Sequence, residues 1–191
     1  MTPEQYLEAE RAAEFKSEYY NGHMYAMAGG TQVHNFILGN TAAALLPISR
    51  RRGCVVNTSD LRLRVSHGGL YTYPDIMVIC GPTRFADDQK DTVLNPILII
   101  EVLSPSTEAH DRGFKFAQYR ELESLQEYVL IAQKEPRIER FQRQPSGQWL
   151  LTEYKGLEAE AHFESIDSRI RLADIYTDVS FPSSQDENRV V

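Results

Sequence analysis

Apolar side chains recur at helical spacing as Val33, Phe36, Ile37, Ala44, Leu45 and Ile48, which predicts a long amphipathic helix from Thr31 to Arg52, closed by Gly53. Upstream, Thr2, Pro3 and Gln5 have the form of a capping box with proline at the first helical position, so a helix is expected from there to about Phe15. Asn21-Gly22 breaks the stretch Ser17 to Ala28 as a hairpin, because both central residues of a type I′ turn need positive φ. Strand-like pieces follow at Cys54 to Val56, at Leu61 to Val65 and, after a turn at Gly68-Gly69, at Tyr71 to Cys80. The strict alternation of Leu61 to Val65 predicts one wet face. Pro96 to Leu103 is almost wholly apolar and β-branched, the composition of a central strand covered on both faces. Ser104-Pro105-Ser106-Thr107 ends it and leads into a helix from about Glu108 to Leu122. Strands are then expected at Glu127 to Ala132, Arg137 to Gln142 and Gln148 to Tyr154, the last two as a hairpin around Ser146-Gly147, and a helical turn at Leu172 to Tyr176. Alternating helices and strands of this kind argue for a mixed α/β domain, a sheet flanked by helices, rather than a bundle or sandwich.

Composition narrows the function classes. Of 191 residues, 42% are apolar and 25% charged, which excludes disorder over most of the length. No window reaches the roughly 18 apolar residues of a membrane span, and no apolar core follows a basic start, so a soluble cytoplasmic protein is expected. The net charge of −7, from 20 basic and 27 acidic residues, counts against broad electrostatic coating of nucleic acid. A local basic face is left open at Arg50-Arg51-Arg52 or in the series Arg137, Arg140, Arg143, although such runs are usually solvated. Cys54 and Cys80 lie in separate apolar segments without a CxxC spacing, so neither a disulfide scaffold nor a zinc site is expected, and a reducing compartment is the natural home. Neither a GxxxxGK loop nor a GxGxxG fingerprint occurs, which disfavours nucleotide cofactors.

Two acidic residues stand where charge is costly. Glu101 interrupts the strand Ile97-Leu98-Ile99-Ile100, and burying an ionised carboxylate there costs several kcal/mol unless a cation, a donor or a raised pKa compensates it. Asp75 heads the strand Ile76 to Ile79 directly after Pro74, a residue that marks strand starts and bulges. If the two strands are neighbours, residues opposite each other have Cβ atoms about 4.5 to 5.5 Å apart, a gap that suits a shared divalent ion. Magnesium uses one or two carboxylates and leaves its other positions to water and phosphate oxygens. The competing reading pairs both acids with arginines or with loop amides. Lys115 lies four residues after Asp111 on the same side of the expected helix, with Gln118 and Tyr119 continuing that side, and it could equally be a simple partner of Asp111. His34 reads most simply as a histidine at a helix start bonded to a neighbouring loop.

Pro74-Asp75, then Glu101-Val102-Leu103-Ser104-Pro105-Ser106-Thr107, then Asp111-Arg112, Lys115 and Tyr119 resemble the restriction-endonuclease family abundant in cyanobacteria, within the PD-(D/E)xK nuclease superfamily. The resemblance runs from the N-terminal helix to about Phe181. It implies a restriction-endonuclease-like α/β core, a mixed sheet flanked by helices, as a single domain over 1–181 with a polar tail at 182–191. It also implies metal-dependent endonuclease chemistry on phosphodiester bonds, with DNA as substrate and a possible homodimer. Asp75 and Glu101 match metal ligands for Mg²⁺ or Mn²⁺, with the backbone carbonyl of Val102 as a further ligand, and Asp75, Glu101 and Lys115 form the catalytic set. The superfamily lysine usually follows two residues after the acid; that place is Leu103 here, and Lys115 on the next helix is the matching position. His34 and Asp60 match recurrent family positions without an assigned role, and His23 stands where many relatives carry an acid. The alternative is a catalytically silent nucleic-acid- or protein-binding module on the same fold.

Overall fold

The computed structural model describes residues 1–65 and 69–181. The capping box forms: Thr2 Oγ1 accepts the Gln5 N–H at 3.3 Å, the Gln5 side chain accepts the Thr2 N–H at 2.9 Å, and α1 runs Pro3–Ala12. The helix stops short of Phe15 because Ala13 is extended and buried Glu10 accepts the Ser17 N–H at 2.8 Å, leading the chain into a strand. Strands β1 (Ser17–Tyr20) and β2 (His23–Ala26) close around Asn21 and Gly22, whose φ values are 47° and 87°, as a type I′ turn demands. Helix α2 (Gln32–Arg51) is capped by Thr31.

The chain continues through β3 (Cys54–Thr58), β4 (Arg62–Val65), β5 (Leu70–Thr72), β6 (Ile76–Cys80), β7 (Thr92–Val93) and β8 (Leu98–Val102). A short α3 (Glu108–His110), a π-helical turn (Asp111–Lys115) and α4 (Phe116–Tyr119) replace the single helix expected to Leu122. Then come β9 (Glu127–Ile131), β10 (Arg137–Arg143), β11 (Trp149–Lys155), β12 (Glu160–Phe163), β13 (Ser168–Arg171) and α5 (Leu172–Ile175). The β12–β13 hairpin is absent from the sequence reading. The tail expected at 182–191 and the Gly68 half of the Gly68-Gly69 turn lie outside the described residues.

The main sheet has the order β11-β10-β9-β8-β6-β3, and β8 is central as its composition predicts. Only the β8–β9 pair in it is parallel. A second sheet has the order β2-β1-β5-β4-β7. Alternation along the central strands sends Ile76, Val78, Leu98, Ile100 and Val102 to a core shared with α2, α5 and the β12–β13 hairpin. Met77, Ile79, Ile99 and Leu103 go to the opposite face, where they meet Leu63, Val65 and Leu70 of the second sheet and Tyr119 of α4. Glu101 shares the parity of that second group and points between the two sheets, whereas Asp75, one residue before β6, bonds His34 at the start of α2. On the far side of the second sheet, α1 covers Tyr19 and Tyr71 with Tyr6.

Several expectations change. Tyr71 to Cys80 is not one strand: the chain leaves the second sheet after Thr72 and enters the main sheet at Ile76, and Pro74 sits at the crossing. The expected wet face of Leu61 to Val65 is covered by α1, and Arg62 is buried between the rings of Tyr6 and Tyr73 (5.7 and 5.6 Å) with Asp91 at 3.0 Å. Arg140 and Arg143 are structural ties rather than a basic face: Arg140 bonds the His162 carbonyl and faces buried Glu127, and Arg143 donates to the carbonyls of Arg120 and Leu122. Cys54 and Cys80, expected to be unpaired, form a disulfide, because the β3–β6 register sets them directly opposite each other with Cα atoms 4.1 Å apart. Spacing along the chain hides that adjacency, and the inference of a reducing compartment loses its ground.

The bond closes a loop with a sequence separation of 26. Chain-entropy arguments give such a loop about 3.5 kcal/mol of stabilisation. Urea unfolding with and without dithiothreitol is expected to differ by about that amount, and Cys54→Ala to be insensitive to the reductant.

Candidate metal and phosphoryl-transfer site

Asp75 lies one residue before β6. The pairing Ile76↔Ile100, continued by one residue, sets Asp75 opposite Glu101. The two are cross-tied: the Asp75 N–H donates to Glu101 Oε2 at 3.2 Å, and the Val102 N–H donates to Asp75 Oδ2 at 2.8 Å. In an extended strand the N–H and C=O of one residue leave by the same edge, so the Val102 carbonyl faces the Asp75 side as well. Leu103, two residues after the acid, is buried in the apolar core and bonds instead to the Ile131 carbonyl at 2.8 Å.

The amine arrives from the π-helical turn. Lys115 Nζ lies 3.2 Å from Glu101, 3.2 Å from Asp111 and 3.4 Å from Glu18. Tyr119 donates its hydroxyl to Glu101 Oε1 at 2.9 Å, and Tyr128 ties down the Asp111 carbonyl at 3.0 Å. A π turn at such a place aims side chains that a regular helix would distribute differently. Lys115 therefore pairs with Asp111 and also reaches Glu101. Among the described residues neither Asp75 nor Glu101 pairs with an arginine, but each accepts a backbone amide, the other half of the competing reading.

His34 bonds neighbouring loops, as its sequence reading expects: Nε2 lies 3.1 Å from Asp75 Oδ1 in the β5–β6 connection, and the Gln133 amide of the β9–β10 connection approaches its Nδ1 at 3.5 Å. Gly30 makes room for the ring; a Cβ there would lie 2.7 Å from His34 Cδ2. Glu18 was missed altogether. It comes from β1 through its neighbour Thr72, which donates to it, and His110 lies 3.6 Å away. Nothing in Ser-Glu-Tyr-Tyr marks that glutamate, because its neighbours in space come from three other elements. Asp60 is not in the site: it is a surface partner of Lys16 at 2.9 Å.

The electrostatics follow from depth. Burial, reinforced by the charges of Asp111 and Asp75, pushes the Glu101 carboxyl up to about 8 against the pull of Lys115 and Tyr119. Burial would lower Lys115, but Glu101, Asp111 and Glu18 outweigh it and hold the ammonium charged. Burial also works against ionisation of Glu18, yet His110, Lys115 and Thr72 bring it down to about 2. The Asp75 side chain is 18% exposed against 4% for Glu101, so Asp75 and His34 form the open rim and Glu101 the floor. Glu101, Asp111 and Glu18 thus surround a single ammonium, which is the one partner of Asp111 Oδ1 among the described residues.

That donor set fits a hard divalent cation. Among the described residues no cluster of three or more His, Cys, Asp or Glu is arranged to hold a metal. The protein offers two opposed carboxylates and a carbonyl, which matches the habit of Mg²⁺ of taking few protein ligands and keeping positions for water and phosphate.

A mixed central sheet with helices on its faces, acids opposed on neighbouring strands and a lysine from the next helix defines a protein of the restriction-endonuclease-like α/β class. The chain belongs to the Uma2 family, described as "Putative restriction endonuclease", whose model matches residues 3–173. It is 40% identical over 164 residues to "Uncharacterized protein sll1609" of Synechocystis sp., covering 85% of this chain and 92% of that one. To "Uncharacterized protein slr1290" of the same organism it is 33% identical over 183 residues, covering 95% and 94%. A crystal structure from Anabaena variabilis, described as "a putative nuclease belonging to DUF820", superposes with a TM-score of 0.75 at 17% identity over 94% of this chain and 99% of that one. No helix among the described residues is long and apolar enough to cross a membrane.

Proposed function

We propose that this chain is a metal-dependent endonuclease that hydrolyses phosphodiester bonds in DNA, with Asp75, Glu101 and the Val102 carbonyl holding Mg²⁺ or Mn²⁺. The observation that carries this reading is the opposition of Asp75 and Glu101 on adjacent strands with the Lys115 ammonium 3.2 Å from Glu101. When bound, the ion supplies Lewis-acid polarisation of a phosphate oxygen and a water of lowered pKa. The remaining work belongs to the chain. His34 and the Val102 N–H fix the two oxygens of Asp75, and Tyr119 and Lys115 fix Glu101 Oε1. Lys115, a compact charge on a flexible stem, neutralises charge that develops on the phosphoryl oxygens. Glu101 would hold the cation as the ionised carboxylate, so binding would require its proton to leave.

Calorimetric titration with Mn²⁺ tests the assignment. Wild type is expected to show one saturable binding event and to release close to one proton at pH 7, below the Glu101 value of about 8. Affinity should rise about tenfold per pH unit up to about 8 and then level off. Asp75→Asn is expected to lose the event. Absence of heat in wild type, together with absence of Mn²⁺-dependent cleavage, would select the silent binding module instead.

A further inference from the structure

In an antiparallel sheet, residues paired across strands point to the same face. The registers Glu18↔Tyr25 and Tyr20↔His23 therefore put Tyr25 and His23 on the face of the second sheet that carries Glu18 toward Lys115. Tyr25 is the next side chain outward from Glu18 in that row, with Cβ atoms about 4.5 to 5.5 Å apart. Inward along the same row, Thr72 and Leu63 are buried, whereas Tyr25 is 52% exposed and its hydroxyl has no partner among the described residues. The adjoining row runs from exposed His23 to Tyr20, which packs edge-on against Phe114 at 4.8 Å. Phe114 in turn stacks on exposed His110 at 4.9 Å. β2 is an edge strand, so nothing further in the sheet lies beyond these rings.

We infer that Tyr25, beside Glu18 on the outer row of the second sheet, is a stacking shelf for an unpaired nucleobase next to the site, so that the preferred substrate is single-stranded or frayed nucleic acid. This rests on the nuclease reading and adds the substrate class to it. A base inside a duplex has both faces covered by its neighbours; only an unstacked base offers a face to an exposed ring. The charge balance agrees. Duplex binding draws on many phosphate contacts by lysine and arginine, and this chain carries a net −7 with Arg140 and Arg143 committed to internal bonds. Single strands also draw on basic contacts to the backbone, but each stacked base adds affinity that depends on no charge, and Tyr25 costs the fold little because the ring is half in solvent.

The experiment measures fluorescence anisotropy of a labelled 20-nucleotide DNA strand and of its duplex, with Ca²⁺ in place of the catalytic ion, for wild type, Tyr25→Phe and Tyr25→Ala. Wild type should bind the single strand more tightly than the duplex. Tyr25→Ala should lose about tenfold or more on the single strand, the usual effect of removing one stacking ring. Tyr25→Phe should stay within about twofold, since the aromatic face rather than the hydroxyl is used. A single-strand affinity unchanged in Tyr25→Ala, a preference for duplex, or no binding by wild type each overturns the inference. Mn²⁺-dependent cleavage by wild type is read separately: if it is present while Tyr25→Ala binds like wild type, the shelf fails and the nuclease reading stands.

Discussion

Glu101→Gln is expected to reduce Mn²⁺-dependent plasmid cleavage by at least about 10²-fold while leaving the protein folded, and the two halves of that expectation have one cause. At neutral pH without metal the buried carboxyl is held largely protonated, its value raised to about 8. Glutamine has the shape and neutrality of that protonated form, so the metal-free protein loses little beyond the one contact it reorients. With Asp75 N–H at 3.2 Å from Oε2 and Tyr119 and Lys115 donating to Oε1, an amide nitrogen must face one donor. A clash of that kind costs about 1–3 kcal/mol. What glutamine cannot do is ionise, so it cannot fill the metal-ligand role proposed for Glu101. The stability profile gives an independent check. The folded state keeps this proton up to about 8 while the unfolded chain releases it near 4.5, so unfolding releases a proton between those values. The stabilisation is complete below about 4.5 and declines as pH rises to about 8. Urea unfolding of the metal-free wild type should show that decline more steeply than Glu101→Gln. Cleavage by the variant equal to wild type would refute the role of Glu101.

The acids of the site were legible because they violate a local rule: a carboxylate inside Ile-Leu-Ile-Ile, and one at the head of Ile-Met-Val-Ile, demand compensation wherever they fold. The capping box, the Asn-Gly turn and the central strand were legible for the same local reason, since each contact spans a few residues. The remaining features depend on neighbours that chain distance conceals. Glu18 reaches Lys115 across 97 positions only because β1 pairs with β5 and the two sheets then face each other. The Cys54–Cys80 bond needs the β3–β6 register, and the role of His34 needs the start of α2 to lie at the Asp75 end of β6. The division of Tyr71 to Cys80 between two sheets was hidden because both halves are apolar; Pro74 marked a break, but nothing local showed that the strand changes partners there. Arg62 misled in the opposite direction, because a charge at an alternating position reads as solvated until a helix and two tyrosines cover it.

Lys115→Met is expected to lower the stability of the metal-free protein by about 3–5 kcal/mol, the usual cost of removing one partner from a buried ionic cluster. The ammonium is 8% exposed and faces Glu101, Asp111 and Glu18 within 3.4 Å, so its loss leaves three acids crowded with no cation among them. They can respond by holding protons, and Glu101 already does so in part. Glu18, kept ionised down to about 2 with help from Lys115, has further to move. The deficit should therefore grow as pH rises, because each proton then becomes harder to keep. A divalent cation offers another response. If Asp75 and Glu101 hold metal, Mn²⁺ at saturating concentration should recover part of the lost stability in Lys115→Met, since ligand binding to the folded state alone raises its free energy of unfolding. Cleavage should not recover and should stay about 10²-fold or more below wild type, because the ion replaces the missing counter-charge but not the role proposed for Lys115 at the phosphate. Arginine is no substitute: its planar fork is larger than the ammonium and must fit among Glu101, Tyr119 and Tyr128, so Lys115→Arg should fold less stably and cleave as poorly as the methionine variant. Urea midpoints across pH 6 to 9, with and without Mn²⁺, separate these effects. A methionine variant as stable as wild type under all of them would show that the three carboxylates do not depend on this ammonium.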